Sequence, residues 1–199
     1  MFKRLSLVPI ALAVALAACS DHASKARSKG ALTVVPLGQP IQVAGLSFAP
    51  PADWPRGADR PMRVATLHPP AATGAADEAE CGVFYFGKGE GGAIRANLDR
   101  WLGQLRTAEG QPKARFDREE ELVVDGVRIH EADVSGTFLW TPGPISPEAT
   151  PKPDWRLLGA VIEAPEGLVF VKLTGPAATV AKAQAGFEGM LRSIRPGQH

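Results

Sequence analysis

The sequence is poor in cysteine: its 199 residues include only Cys19 and Cys81, so a framework of several disulfides is excluded. It also lacks an excess of one charge, because 22 basic and 21 acidic residues give a net charge of +1. Without a strong positive field, we expect no nucleic-acid partner. The apolar stretch at residues 5–16 is shorter than the ~20 residues of a membrane-spanning helix. The whole chain is 45% hydrophobic, and without its N-terminal apolar stretch it is still long enough for one domain with a core.

The stretch at residues 5–16 follows two basic residues and ends in small ones, an order typical of an export signal. Its continuation, Leu16-Ala17-Ala18-Cys19, resembles the lipobox of bacterial lipoproteins. That resemblance implies that the signal is cut between Ala18 and Cys19, and that Cys19 carries the lipid that anchors the protein to a membrane. The alternative is an ordinary signal peptide that happens to be followed by a cysteine.

We expect three segments: a lipoprotein signal peptide at residues 1–18, a lipidated flexible tether at 19–31, and a single globular domain at 32–196. The tether is small, polar and basic in composition, with too few apolar side chains to fold against anything. Ser20 stands where aspartate would resemble a signal for retention in the inner membrane. The sequence therefore predicts an exported protein anchored in the outer membrane and facing the periplasm, with the inner membrane as the alternative.

Short β-type runs separated by turn residues occur in both halves of the domain. Ala44-Gly45, Asp125-Gly126 and Pro165-Glu166-Gly167 lie between such runs, and each predicts a hairpin. Apolar residues at helical spacing predict one helix from Ile94 to Leu105 and another from Val180 to Ile194. Strands joined by hairpins, with helices between the groups of strands, predict the α+β class with an antiparallel sheet.

Three segments interrupt this pattern. Five prolines between Thr141 and Asp154 predict a surface excursion that contains neither helix nor interior strand. A change of the apolar face near His130-Glu131 predicts a β-bulge. The acidic run Glu119-Glu120-Glu121 predicts a solvated turn before a strand.

Both ends of the domain resemble one family. Gly45-Leu46-Ser47-Phe48-Ala49-Pro50-Pro51-Ala52-Asp53-Trp54 resembles the opening strand and tryptophan turn of PsbP-like domains, a group related to the Mog and DcrB proteins. Phe170 to Pro176, and the helix that carries Phe187 and closes at Leu191-Arg192-Ser193-Ile194, are similar to the last strand and helix of that group. The resemblance implies a central antiparallel sheet with helices packed on its faces. It implies no catalytic residues, since the group shares none.

Two short motifs point toward cofactors and fail on inspection. Gly87, Gly89 and Gly92 match G-x-G-x-x-G between a strand and a helix, the pattern of a dinucleotide-binding loop. Glu90 places negative charge in that loop and no buried parallel strand follows, so a plain link between strand and helix is the favoured interpretation. His130-Glu131 begins the zinc motif H-E-x-x-H, but valine replaces the second histidine. We expect no nucleotide, no metal and no other cofactor.

Trp140 and Trp155 bracket the proline-rich segment. If any aromatic pair marks a groove for a ligand, we expect these two, although both also suit the core. Cys81 opens an apolar run, and packing is its expected role, with a reactive thiol as the alternative. Since no catalytic set is readable, the sequence predicts a non-catalytic binding or accessory domain for another envelope component, either a protein or a small ligand. The alternatives are an enzyme whose site forms only in the fold and a purely structural lipoprotein.

Overall fold

A computed structural model describes residues 35–75, 77–142 and 148–197. The predicted signal peptide, Cys19 and the tether lie outside these residues. No helix in the described part is both long and apolar enough to cross a membrane. Within it the elements in chain order are β1 (Ile41–Val43), β2 (Leu46–Phe48), β3 (Arg63–Leu67), β4 (Glu80–Tyr85), α1 (Ile94–Leu102), β5 (Leu105–Arg106), β6 (Arg118–Val124), β7 (Val127–Trp140), β8 (Thr150–Ala164), β9 (Gly167–Pro176), α2 (Ala177–Arg192) and β10 (Arg195–Pro196).

Antiparallel pairing builds a main sheet in the order β3-β4-β9-β8-β7-β5, and β6 pairs with the same edge of β7 as β5 does. The hairpin predicted at Asp125-Gly126 joins β6 to β7, and both turn residues have positive φ, as a tight two-residue turn requires. The hairpin predicted at residues 165–167 joins β8 to β9. A smaller sheet, β1-β2-β10, contains the third predicted hairpin, with its turn at Ala44-Gly45. All three hairpin predictions are confirmed.

One helix packs on each face of the main sheet. On the first face α2 buries Phe187 and Leu191 in a core that includes Leu158 of β8. On the opposite face α1 buries Trp101 in a second core, which includes Phe170 of β9. Successive side chains of a strand point to opposite faces of the sheet. Since a core covers each face, β8 and β9 carry apolar residues on both sides. The α+β class, with an antiparallel sheet and helices on its faces, is confirmed.

The proline-rich segment, predicted to contain neither helix nor interior strand, ends in a stretch of strand that is paired on one edge only. β8 begins at Thr150 and includes Pro151 and Pro153, and Pro151 pairs with Leu139 of β7. β9 joins the other edge of β8 only from Trp155 onward. The prolines therefore lie where one edge of β8 is open, a place at which a strand tolerates residues that have no amide donor.

The first helix ends earlier than the apolar spacing predicts. α1 stops at Leu102, Gly103 caps it, and Leu105 lies in β5 opposite Phe138 of β7. Leu105 is nevertheless fully buried. Leu105 is apolar because it packs as part of the sheet rather than of the helix. The chain turns at Gly103 and returns along the edge of β7.

Two further predictions along β6 and β7 are wrong. The pairing of β7 with β8 is regular at His130-Glu131, and its register shifts instead between Gly136 and Phe138. The change of face has another cause: Glu131 is a polar residue on a buried face of the sheet. The acidic run at residues 119–121 belongs to β6 rather than to a turn. The three side chains are solvated there because β6 is an edge strand that leaves them exposed.

Candidate functional site

Helix α1 covers only part of its face of the sheet, and a groove remains beside it. Trp101 of α1 lies over Gly159 of β8, and the Trp101 and Phe170 rings meet edge to face at 6.5 Å. Beyond them lies a cavity of about 650 Å³, and a second cavity of about 250 Å³ shares three of its lining residues. We call the two together the tryptophan groove. Its lining includes Arg63, Glu80, Gln104, Trp140, Trp155 and Thr174.

The two tryptophans predicted from the sequence both line this groove, but in different ways. Trp155 is 8% exposed and stacks on Phe138, with the rings 5.3 Å apart and nearly parallel. Trp155 is therefore mainly part of the second hydrophobic core. Trp140, the last residue of β7, is 41% exposed and borders both cavities. Trp140 is therefore the aromatic surface of the groove that a ligand can reach.

A cluster of two arginines around one carboxylate forms one side of the groove. Arg63 on β3 donates to Glu80 Oε1 at 2.6 Å, and Arg60 Nη1 lies 3.0 Å from Glu80 Oε2. The Arg63 guanidinium also lies over the Phe84 ring, 5.1 Å from its centroid. Because one carboxylate faces two guanidinium groups, this cluster carries a positive charge.

Lys172 on β9 lies next to the groove, behind the lining residue Gln104. Its Nζ donates to Gln104 Oε1 at 2.6 Å and lies 5.2 Å from the centroid of the Phe138 ring. Gln104 is held just after α1, where its carbonyl accepts from the Leu139 amide at 2.8 Å. Burial lowers the pKa of Lys172 to about 8; the nearby Arg63 lowers it as well, and Glu80 opposes them. The ammonium is thus held by an amide and an aromatic ring.

The rim of the groove carries charges of both signs. Lys152 and Asp77 form an ion pair at 3.0 Å, and the Glu78 side chain is 88% exposed. His68 lies nearby, with its Nδ1 atom buried and without a hydrogen-bond partner among the described residues. The distance from His68 Nδ1 to Glu78 Oε2 is 4.0 Å, too long for a hydrogen bond.

The glycine-rich loop between β4 and α1 has a packing role in the fold. A Cβ atom at Gly91 would lie 2.8 Å from the Phe170 ring, so this close approach needs glycine. The Asn97 side chain donates to the Gly91 carbonyl at 2.7 Å and closes the loop onto the helix. None of the loop glycines lines the tryptophan groove. In the described part of the chain, no three His, Cys, Asp or Glu side chains are placed to hold a metal ion.

Cys81 lies on the opposite face of β4 from the groove, in the core that α2 covers. It is fully buried. Burial raises the pKa of its thiol well above the ordinary range, and Glu80 adds to the rise while Arg63 opposes it. Since the thiolate is the reactive form, a thiol kept protonated in the core fits the packing role.

Sequence reasoning found the tryptophans of the groove but missed the polar and charged side chains in and next to it. Arg63, Glu80, Gln104 and Lys172 come from four separate parts of the chain, and none belongs to a motif. One signal was available: Lys172 is the only charge in the run Phe170-Val171-Lys172-Leu173, and lysine is rarely placed inside a buried strand without a reason.

A smaller cavity of about 230 Å³ lies on the α2 side of the sheet, and Glu131 and Arg118 are among its lining residues. Glu131 is 7% exposed, and Arg118 Nη2 lies 3.7 Å from its Oε2. Burial raises the pKa of Glu131 to about 7; Arg118 opposes that rise, and Glu120 adds to it. The carboxyl is thus partly protonated near neutral pH.

The raised pKa of Glu131 predicts that the protein loses stability as the pH rises. The folded chain binds a proton at Glu131 that the unfolded chain releases near its ordinary pKa of 4.5, so stability falls between about pH 4.5 and 7. Glu131→Gln should remove this loss and raise the free energy of unfolding at pH 8 by up to roughly 3 kcal/mol. Urea unfolding at pH 5 and pH 8 measures it. The exposed Glu121→Gln serves as control, and an unchanged pH dependence in Glu131→Gln would contradict the assignment.

Comparison with known proteins finds solved structures that match this chain, and two of them match most of it. A Pseudomonas aeruginosa protein of unknown function, PA94, is 15% identical; the match covers 81% of this chain and 98% of that one, with a TM-score of 0.46. The cyanobacterial PsbP protein (CyanoP) of Synechocystis is 12% identical; the match covers 85% of this chain and 97% of that one, with a TM-score of 0.49. No family model and no curated protein matches the sequence.

Proposed function

We propose that this protein is a lipid-anchored domain of the bacterial cell envelope, and that it binds a component of that envelope in the tryptophan groove without altering it. The observation that carries the proposal is the groove itself. Its walls include the partly exposed Trp140, and its lining also holds amide and charged side chains. Apolar walls with a few placed polar groups are the usual composition of a ligand site.

The size of the groove favours a small ligand over a protein partner. Its larger cavity of about 650 Å³ falls within the range of roughly 300–1,000 Å³ that small-molecule sites occupy. Protein partners instead bury surfaces of about 800 Å² on each side. Within the envelope, we therefore favour a molecule of one or two rings.

The N-terminal segment supports the anchoring part of the proposal. Leu16 to Cys19 resembles a lipobox, and a cysteine that carries several acyl chains attaches a protein firmly, at about 0.8 kcal/mol for each buried methylene group. The tether at residues 19–31 would let the domain reach ligands away from the bilayer. We propose the outer membrane, facing the periplasm, as its place.

Two substitutions separate the two parts of this proposal. Cys19→Ala should move the protein from the detergent phase to the aqueous phase while leaving ligand binding intact. Trp140→Ala should leave anchoring intact and lower binding about tenfold or more, because an aromatic contact in a ligand site contributes on the order of 1–2 kcal/mol. Binding is measured by native mass spectrometry and thermal shift of the purified full chain with a small-molecule extract of its own envelope.

Phe86→Ala serves as the control for Trp140→Ala, since Phe86 is another exposed aromatic side chain and lies outside the groove. Retention of Cys19→Ala in the detergent phase would contradict the anchor. Equal binding by Trp140→Ala and the unaltered chain would contradict the groove. Chemical conversion of the bound compound would replace the binding role with an enzymatic one.

A further inference from the structure

We infer that the tryptophan groove takes a small organic acid, whose carboxylate lies beside Lys172 and Arg63 and whose flat or apolar body lies against Trp140. This inference rests on the proposed function, because it names the class of ligand for the same groove. It follows from three features in and next to the groove: an ammonium without a carboxylate partner, an arginine pair that shares one carboxylate, and the positive charge that Lys172 adds to a balanced lining.

The first feature is the environment of Lys172. Its hydrogen bond goes to the neutral amide of Gln104, and no carboxylate of the described residues forms an ion pair with it. Lys172 is only partly buried, and its side chain lies on the α1 face of the sheet, against Gln104 and Phe138. A charged group with little water and no counter-ion is strained electrostatically, and an incoming anion relieves that strain.

The second feature is the position of Arg63 relative to Lys172. Gly82 of β4 pairs with Lys172 across the strands, and a Cβ atom at Gly82 would lie 3.4 Å from Arg63 Nη1. The guanidinium therefore lies over the strand next to Lys172. Arg63 uses Nη1 to donate to Glu80 and Thr66, so its other edge has no partner among the described residues. A planar guanidinium edge fits the two oxygens of a carboxylate.

The third feature is the balance of charge in the groove. The charged side chains that line it balance, with Arg60, Arg63 and Lys152 against Asp77, Glu78 and Glu80. Lys172, which contacts the lining residue Gln104 from behind, adds one more cation. One positive charge is left over among these described side chains. A ligand with a single negative charge neutralises it, whereas a phosphate monoester would bring more negative charge than the groove can balance.

The groups that face Lys172 also define how binding depends on pH. They are Arg63 from β3, Glu80 from β4, Gln104 after α1 and Phe138 from β7. Of these only Arg63 and Glu80 are charged. Since burial and Arg63 together hold the pKa of Lys172 at about 8, the ammonium loses its proton above that pH, and the preference for an acid should weaken there.

The test compares two probes of the same shape, naphthoate and its neutral amide naphthamide, by calorimetric titration of the full chain. At pH 7 we expect naphthoate to bind about tenfold more tightly than naphthamide, because a hydrogen bond to a charged group contributes about 1.5–3 kcal/mol. Lys172→Gln should reduce this ratio to near one. Lys88→Gln removes an exposed lysine of the β4–α1 loop and should keep the full ratio.

A second substitution keeps the test valid if Lys172→Gln folds poorly. Gln104→Glu places a carboxylate against the Lys172 ammonium, so it should abolish the preference for naphthoate without removing the lysine. Equal binding of both probes to the unaltered chain, with loss of both in Trp140→Ala, would overturn this inference and leave the proposed function standing. Binding of neither probe would overturn this inference alone, because the proposed function is tested separately with the envelope extract.

Discussion

Replacing Asp133 with alanine is expected to lower the free energy of unfolding by about 2–4 kcal/mol, because a partly buried arginine loses the carboxylate that accepts two of its hydrogen bonds. Asp133 on β7 accepts two hydrogen bonds from Arg156 on β8, at 2.8 and 2.7 Å, and the two side chains are only 13% and 15% exposed. Arg156 also donates to Gln184 at 2.8 Å, which ties α2 to the sheet. Urea unfolding of the purified domain measures the loss.

A matched control for this ion pair lies on α1. Asp99→Ala breaks the exposed pair with Arg95, whose side chains are 60% and 54% exposed, and should change stability by less than about 1 kcal/mol. The double variant Asp133→Ala, Arg156→Met should regain most of the loss, because it removes both charges together. A small effect of Asp133→Ala by itself would show that water reaches Arg156 and that the pair contributes little.

Trp101→Ala is expected to destabilise the protein by about 3–5 kcal/mol, since it deletes the largest side chain that joins α1 to the sheet. Trp101 is 7% exposed, contacts Phe170 edge to face, and lies directly over Gly159. A Cβ atom at Gly159 would lie 2.5 Å from Trp101 Cε3. Gly159→Ala should therefore also destabilise, by about 1–3 kcal/mol, because the indole must move away from the strand. Chemical denaturation of each variant gives both values.

Trp140→Ala provides the contrast for these substitutions. Its indole is 41% exposed, so its removal should change the free energy of unfolding by no more than about 0.5–1 kcal/mol. If Gly159→Ala were as stable as the unaltered chain, the close approach of Trp101 to the sheet would be wrong. The position of Gln104, which follows α1, would then be in question too.

The hairpins were predictable because their turns carry local information. Ala44-Gly45 and Asp125-Gly126 adopt positive φ at both residues, and glycine or aspartate at such positions signals that geometry regardless of the rest of the chain. The start of β8 was not predictable in the same way. Whether Pro151 can lie in a strand depends on which neighbour pairs with its other edge, and that is decided by β9, far along the chain.

The same distinction holds for the candidate site. Trp140 and Trp155 were singled out because they flank a local feature, the proline-rich segment, and the fold brings them to one groove. Lys172, Arg63 and Gln104 meet only because β3, β4 and β9 pair and α1 ends beside them. No spacing in the sequence encodes that meeting. A lone lysine in an apolar strand indicates that another side chain must contact its ammonium group, but the sequence does not show which one.

The outer edge of β7 is shared by β6 and β5, and the short gap between them is closed by a side chain. Asp117 accepts a hydrogen bond from the Ser135 amide at 2.7 Å, where no strand pairs. Beyond it, β6 presents the acidic residues 119–121 to solvent. A foreign strand approaching this edge meets a row of charged side chains, since Arg95, Arg118 and Arg128 pair with the three carboxylates. Such a charged edge opposes the addition of further strands and therefore the strand-by-strand growth of fibrils.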